Sequence, residues 1–317
     1  SELRDRIGDY LADVDDFRSD DLDRIYRDIA DMTEQHFAMA ELIWDEKQPD
    51  FLMMVEIGLD RFHHAFWRHI DPEHPRHEPG NPWEHLGREY YASLDRRIAR
   101  LCERAGDDTT LMVVSDHGAR AMHGGFCIND WLIERGYLAL HQHPAAPGPL
   151  DHDRIDWSRT RAWAEGGYYA RVFLNVAGRE PHGAVSPGAL LETRAALQRE
   201  LAEAHDDDGR PIPTLVRVPE NYYHQARGFP PDLMVYVDDL RLRAIGSVGH
   251  QRLVISENDT GPDSCNHDWD GVVVMSGPSI PARGPIKGAE IYDIAPTVLG
   301  AFGIERPPGM LGRDWSQ

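Results

Sequence analysis

Apolar residues recur at helical spacing near the start of the chain and then form short continuous runs. After Ser19, which can cap a helix, Leu22, Ile25, Ile29 and Met32 repeat at intervals of three or four residues. Short apolar runs bounded by polar residues are typical of buried strands. This pattern predicts a helix over 19–47, a strand over 51–58, a helix over 82–105 and a strand over 110–115. A strand, a helix and a strand in this order favour a right-handed crossover in a parallel sheet.

The second half of the chain alternates between loop-like, strand-like and helical stretches. We predict a helix over 127–140 closed by Gly136, strands over 170–176, 232–240 and 271–277, and helices over 188–205 and 291–304. Together these elements predict an α/β fold, with a mostly parallel central sheet flanked by helices and an inserted α+β cap subdomain. The predicted division is 1–118 for the first part of the core, 119–250 for the cap, and 251–317 for the last part of the core.

Composition narrows the classes of function. The 317 residues carry a formal net charge of -21 and include no block of lysine and arginine, so we expect no nucleic-acid partner. No apolar run approaches the roughly 18 to 20 residues that span a bilayer, so we expect no membrane partner. The three cysteines are widely spaced, without a CxxC motif, and the charged N-terminus does not resemble a signal peptide. These features favour a cytoplasmic protein.

Aspartate and histidine residues accompany the most apolar predicted strands. Asp60 and His64 follow the first strand, Asp116 and His117 follow TLMVVS, and His267 precedes GVVVMSG. Ligand sites in open α/β sheets form at the carboxyl ends of strands, and imidazole with carboxylate suits zinc, manganese or iron. Each of these also has a simpler interpretation. Asp60 could cap a helix with His64 on the surface, Asp116 and His117 could form a turn, and His267 could be a solvated loop residue.

The order of these motifs resembles the alkaline phosphatase superfamily, specifically its type I phosphodiesterase/nucleotide pyrophosphatase group. SDHG after an apolar strand, an upstream Asp-x-x-x-His and a late histidine carry the resemblance, and further segments such as GLDRFHHAFW and YDIAPTVLGAFGI follow in order over residues 20–315. The resemblance implies a phosphohydrolase acting on phosphodiester or pyrophosphate, nucleotide-type substrates. It also implies two divalent ions, usually zinc, with Asp60, His64 and His267 as ligands of one ion, and Asp116 and His117 as ligands of the other.

The same resemblance implies two further parts before Asp60: an aspartate that ends a strand, and a threonine or serine nucleophile at a helix N-terminus. Neither is found in the residues that precede FLMMV, where Ser19 and Thr33 lie in a predicted helix. The catalytic nucleophile is therefore unknown. We expect the chain to be a fragment that lacks an N-terminal segment of the same protein, and to have little activity alone.

Several residues have competing interpretations. Tyr168, Tyr169 and Arg171 could bind a small nucleotide substrate, or they could pack as ordinary strand residues. His63 and His123 fall outside the ligand pattern. The alternatives to a phosphodiesterase are a phosphomonoesterase, a phosphoglycerate mutase-like enzyme, a metal-binding α/β domain without catalysis, and an interaction protein whose histidines never meet. A sulfatase signature is absent from the sequence.

Overall fold

The chain forms a mixed α/β structure, described in a computed structural model for residues 6, 8–278, 280, 282 and 284–316. The helices span Leu22–Lys47 (α1), Gly58–Ile70 (α2), Leu86–Ala105 (α3), Ile128–Glu134 (α4), Leu190–Ala202 (α5) and Ile294–Ala301 (α6). The strands span Leu111–Val114 (β1), Gly118–Ala121 (β2), Gly124–Cys127 (β3), Ala162–Glu165 (β4), Ala170–Leu174 (β5), Thr214–Arg217 (β6), Leu233–Val237 (β7), Leu242–Ile245 (β8), Val254–Ile255 (β9), Cys265–Asp268 (β10) and Val273–Ser276 (β11).

Helix α1 confirms the helical pattern, but its cap differs from the prediction. Asp21 is the N-cap, and its side chain accepts a hydrogen bond from the backbone N–H of Arg24 at 3.2 Å. Ser19 instead accepts from the Asp21 N–H at 3.3 Å, so the assignment of Ser19 as the cap was wrong by two residues. The repeated apolar residues fill one face of the helix, where Ile25 and Ile29 are fully buried.

The predicted strand over 51–58 was wrong. Residues 51–57 have no regular secondary structure, no strand of the described chain pairs with them, and α2 begins at Gly58. Phe51, Met53 and Val55 are 52%, 74% and 70% exposed, while Met54 between them packs against the core. An apolar run alone cannot show whether neighbouring strands are present to bury it.

The sheets of the described residues are largely antiparallel, so the prediction of a mostly parallel sheet was wrong for them. Strand β1 pairs antiparallel with β11, and β2 pairs antiparallel with β10. The larger sheet has the order β4-β5-β7-β8-β3-β9, with β6 also paired to β7. Its one parallel strand pair among the described residues is β3 with β8. Short connections such as the one between β4 and β5 favour antiparallel pairing, because parallel strands need a long crossover. The coarser α/β prediction is confirmed.

Two hydrophobic cores organise the molecule. One lies among α1, α2 and α3, where Phe62 stacks on Phe66 and Tyr90 with ring centroids 5.0 and 4.7 Å apart. The other is built from residues 126–254 around Trp131 and the large sheet. This second core lies within the predicted cap at 119–250 except for its last residues, and the three-part domain division stays a prediction. Helix α2 contacts both β2 and β10, at the junction where the candidate site lies.

Some of the remaining elements lie where the sequence pattern predicts them, but each is shorter than predicted. Helix α4 ends just before Gly136, whose φ of 71° is the left-handed conformation that glycine favours. Strands β1 and β11 occur where predicted, but they are only partly buried, with Val274 53% exposed. Strands β2, β3, β6 and β8 have four residues each, too short for a periodic signal. Within the described residues, no helix combines the length and the apolar character needed to cross a membrane.

Asn129 gives a test of the second core. It is fully buried, its amide nitrogen donates to Ala164 O and Gly246 O at 2.8 Å each, and its amide oxygen accepts from Ala164 N at 2.9 Å. Asn129→Ala leaves these three backbone groups without partners, so we expect the free energy of unfolding to fall by roughly 3 kcal/mol. Urea unfolding measures the change. The exposed Asn221→Ala is the control, and equal midpoints for the two variants would contradict the expectation.

Candidate metal centre

Asp60 lies in the first turn of α2, a helix that begins at the tightly packed Gly58. The backbone N–H of Gly58 donates to Glu56 Oε1 at 2.8 Å, and a Cβ atom added to Gly58 would overlap Glu56, Tyr90 and Thr33. Glycine at position 58 therefore allows the helix to begin against this polar network. Asp60 lies two residues further on, in the first turn of α2, where a carboxylate is favoured by the helix dipole.

Three histidine side chains approach one oxygen of Asp60. The Nε2 atoms of His64 and His267 lie 3.5 Å from Asp60 Oδ1, and that of His117 lies 3.9 Å away. The ligand-type atoms of Asp60, His117 and His267 all fall within 4.8 Å of one another. The Nε2 atom of His267 is buried and has no hydrogen-bond partner among the described residues. Such a buried, unpaired nitrogen calls for a further partner.

The pairing of β2 with β10 brings two of these histidines together. His267 lies on β10 opposite Ala119 on β2, and His117 immediately precedes β2. As a result the rings of His117 and His267 stack with centroids 3.5 Å apart. Sequence analysis placed His267 in a loop, whereas the structure places it within a strand.

Tyr168 packs against two histidines of the cluster, His267 and His64. Its ring stacks on His267 with centroids 3.6 Å apart, and its hydroxyl lies 3.3 Å from His64 Nε2. The guanidinium of Arg243 lies 4.9 Å from the centre of the Tyr168 ring. Tyr168 was predicted as a substrate-binding residue, and the structure places it directly against the histidine cluster.

A buried carboxylate that sequence analysis missed orients His64. Asp263 Oδ1 lies 2.9 Å from His64 Nδ1 and accepts the backbone N–H of Cys265 at 3.1 Å. Its other oxygen accepts from Arg18 Nε at 3.0 Å, and Arg243 NH1 lies 3.7 Å away. A carboxylate on one ring nitrogen fixes the tautomer and leaves the other nitrogen to bind a ligand. Asp263 stands only four residues before His267, but nothing in the local sequence pattern distinguishes it.

The charges around Asp60 favour the ionised carboxylate. Burial alone would raise the pKa of Asp60, but the contacts with His267 and His64 and the charge of Arg61 hold that pKa far below its usual range. Burial lowers the pKa of His267, and its contact with Asp60 offsets this only in part. An anionic Asp60 beside a neutral His267 is the protonation state that binds a cation.

The remaining predicted site residues, Asp116, Tyr169 and Arg171, are not packed into this cluster. Asp116 Oδ1 is 3.6 Å from His117 Nε2, but the Asp116 side chain is 80% exposed. Tyr169 stacks on Tyr236 with centroids 5.0 Å apart. Arg171 lies exposed on β5, on the opposite face to the buried residues that flank it. The structure thus groups His117 with Asp60 and His267 as well as with Asp116.

Two further histidines lie outside the cluster. His63 hydrogen bonds to the hydroxyl of Tyr91 at 2.7 Å, and burial lowers its pKa to about 4. His123 is exposed between β2 and β3. Neither side chain belongs to a described group of ligand-type atoms that all lie within 4.8 Å of one another, and neither does that of His64, which within the cluster approaches Asp60 alone.

The donor set of the cluster fits a transition metal. A tetrahedral zinc ion with bonds of about 2.0 to 2.2 Å places its ligand atoms about 3.3 to 3.6 Å apart. The 3.5 Å approaches of His64 and His267 to Asp60 lie within that range, and the 3.9 Å approach of His117 is slightly longer. Imidazole and carboxylate ligands together suit zinc, manganese or iron. Calcium and magnesium prefer sites made of oxygen ligands alone.

Asp263 provides a test of how the cluster is held. Asp263→Ala removes the carboxylate from His64, Arg18 and Arg243, so we expect the free energy of unfolding to fall by about 3 to 5 kcal/mol. Urea unfolding in the presence of a chelator measures this without any contribution from metal. The exposed Asp270→Ala is the matched control. A stability equal to that of the control would show that Asp263 is not a structural anchor.

Comparison with known proteins identifies the family to which the chain belongs. Neither the curated proteins nor the solved structures include a match to the chain. The family model described as type I phosphodiesterase / nucleotide pyrophosphatase matches residues 3–269, which include Asp60, His64, Asp116, His117 and His267. This match confirms the resemblance to the alkaline phosphatase superfamily. The chain belongs to the type I phosphodiesterase/nucleotide pyrophosphatase family, a family of hydrolases.

Proposed function

We propose that the Asp60 cluster is the metal centre of a phosphohydrolase that acts on phosphodiester or pyrophosphate bonds of nucleotide-type substrates. The observation that carries the proposal is the approach of three imidazole Nε2 atoms to Asp60 Oδ1, with that of His267 buried and unpaired. Structural histidines ordinarily pair with backbone or solvent, whereas ligand histidines converge.

The ligands that we propose follow the arrangement that the family resemblance implies. Asp60, His64 and His267 would hold one divalent ion, with zinc favoured, and His117 with Asp116 would hold a second. When bound, such ions polarise the phosphoryl oxygens and stabilise the developing charge of the reaction. The exposure of Asp116 makes the second ion the weaker one.

Arginines neutralise the aspartates of the site within an acidic protein. Arg61 NH1 lies 2.7 Å from Asp60 Oδ2, and Arg18 and Arg243 both approach Asp263. Arg61 NH2 also lies 2.7 Å from Asp13 Oδ2, so these three arginines balance three aspartates and leave no excess charge. Two bound divalent ions would supply the positive charge that lets a phosphate ester approach despite the net charge of -21.

An aromatic row leads away from the cluster and fits a flat substituent of the substrate. Tyr169 stacks on Tyr236, whose ring lies 4.7 Å from that of Trp269. Trp269 is 46% exposed, so its ring is open to a ligand. We propose that Tyr168 contacts the phosphoryl end of the substrate and that Tyr169 belongs to the surface for the leaving group. The assignment of Arg171 to the substrate remains a prediction.

We further propose that an N-terminal segment of the same protein completes the site with an aspartate and a threonine or serine nucleophile. Two apolar segments lead to the cluster: residues 51–57 toward Asp60, and β1 toward His117. Both present exposed apolar side chains, and residues 51–57 have no strand partner within the described chain. A further strand between them would bury these side chains and end at the cluster.

Zinc binding tests the assignment of the ligands. We expect Asp60→Asn and His267→Ala each to bind at least one equivalent of zinc fewer than the unmodified chain, because each removes a converging donor. Elemental analysis after equilibrium dialysis measures the stoichiometry. His123→Ala, an exposed histidine outside the cluster, should retain the full zinc content. Unchanged stoichiometry in both cluster variants would refute the assignment.

Activity tests the proposed completion of the site. We expect the chain alone, supplied with zinc or manganese, to hydrolyse p-nitrophenyl phosphate and bis(p-nitrophenyl) phosphate slowly or not at all. A version extended by the upstream residues of the source reading frame should hydrolyse the diester, and lose that activity in Asp60→Asn. Turnover by the chain alone above about 1 s⁻¹, an ordinary enzyme rate, would contradict the proposal of an external nucleophile.

A further inference from the structure

We propose that Cys127, Asp130 and His250 form a second, structural zinc site, separate from the Asp60 cluster. The ligand-type atoms of these three residues lie within 4.8 Å of one another. They come from three places in the second core: the end of β3, the first turn of α4 and the loop after β8. A bound ion would therefore fasten that loop to the start of the helix.

The tautomer of His250 leaves a ring nitrogen for the metal. The hydroxyl of Ser247 donates to Asp259 Oδ2 at 2.7 Å, so the Ser247 oxygen is left to accept a hydrogen bond. His250 Nε2 lies 2.8 Å from that oxygen and must carry the proton. The neutral ring then has its lone pair on Nδ1. A chain from histidine to hydroxyl to carboxylate is the kind of outer contact that orients a ligand histidine.

Asp130 holds the loop in place around the same point. One oxygen of Asp130 accepts the backbone N–H of Gly249 at 2.8 Å, and the other accepts that of His250 at 3.2 Å. Gly249 has a φ of 92°, a conformation that favours glycine. Each carboxylate oxygen still has a lone pair for an ion after one such hydrogen bond.

The surroundings of Cys127 carry excess negative charge. Cys127 is fully buried, and burial together with the charges of Asp130, Asp259 and Asp207 raises the pKa of its thiol. Asp207 is exposed, accepts the N–H groups of Leu253 and Val254 at 2.9 and 3.2 Å, and lies 3.8 Å from Arg252 Nε. A divalent cation would neutralise this group of acids and stabilise the thiolate.

The ligand set selects the metal. One sulfur, one imidazole nitrogen and one carboxylate oxygen suit zinc, whereas calcium and magnesium require oxygen ligands. A tetrahedral ion would take a fourth ligand from solvent or from a neighbouring carboxylate. The thiol proton of Cys127 would be released to solvent when the sulfur binds, so binding should weaken as the pH falls.

Cobalt substitution tests the site, because a thiolate bound to Co²⁺ gives a near-ultraviolet charge-transfer band that histidine and carboxylate do not. We expect the metal-stripped full chain to develop this band with Co²⁺, and Cys127→Ser to lose it completely. Asp130→Asn and His250→Gln should weaken cobalt binding at this site at least ~10-fold. Cys265→Ser is the matched control: this equally buried cysteine lies beside the Asp60 cluster, and its loss should leave the band unchanged.

Two further measurements separate this site from the first and from misfolding. Asp60→Asn should keep the band, so a failure of the proposed phosphohydrolase centre would not remove it. In the unmodified chain, zinc should slow alkylation of Cys127 but not of the partly exposed Cys102, as mass spectrometry of the labelled peptides would show. Absence of the band in the unmodified chain, its persistence in Cys127→Ser, or unprotected alkylation of Cys127 would overturn the proposal.

Discussion

The carboxylate of Asp60 is the point at which histidines from three separate segments of the chain come together. Its Oδ1 atom is approached by histidines from its own helix, from the segment before β2 and from β10. The pairing of β2 with β10 brings His117 and His267 together, and Asp60 lies beside both of them and His64. Asp263 and Arg61 then fix the outer sides of the cluster, through His64 and Asp60 Oδ2 respectively. Position 60 thus links helix α2 of the helical core to the segment before β2 and to β10.

The net charge of the chain does not by itself decide what the cluster can bind. Asp60 and Asp263 are paired with arginine and histidine, while most of the net charge of -21 belongs to the surface. Since screening weakens the surface charges more than the buried ones, the local field of the cluster decides what binds there. The aromatic row from Tyr169 to Trp269 adds an apolar surface beside that field.

The sequence predicted the family, most helices and the residues that meet at the cluster, because each depends on local patterns. Helical spacing identified α1, and the SDHG and Asp-x-x-x-His motifs identified His117 and Asp60. Strand pairing could not be predicted in the same way. Residues 51–57 carry the apolar composition of a buried strand, but only the three-dimensional structure shows that they lack a partner within the described chain. Asp263 was missed because its role depends on contacts with Arg18 and Arg243, both more than 15 residues away along the chain.

The most direct measurement of the central claim is zinc K-edge X-ray absorption on the Cys127→Ser variant, which removes the only cysteine proposed as a ligand. The account predicts a shell of nitrogen and oxygen atoms at about 2.0 Å, with the multiple scattering of at least two imidazoles. In the same background, Asp60→Asn should reduce the zinc content and weaken that imidazole signal. Sulfur in the first shell, an imidazole-free spectrum, or a spectrum unchanged by Asp60→Asn would contradict the account.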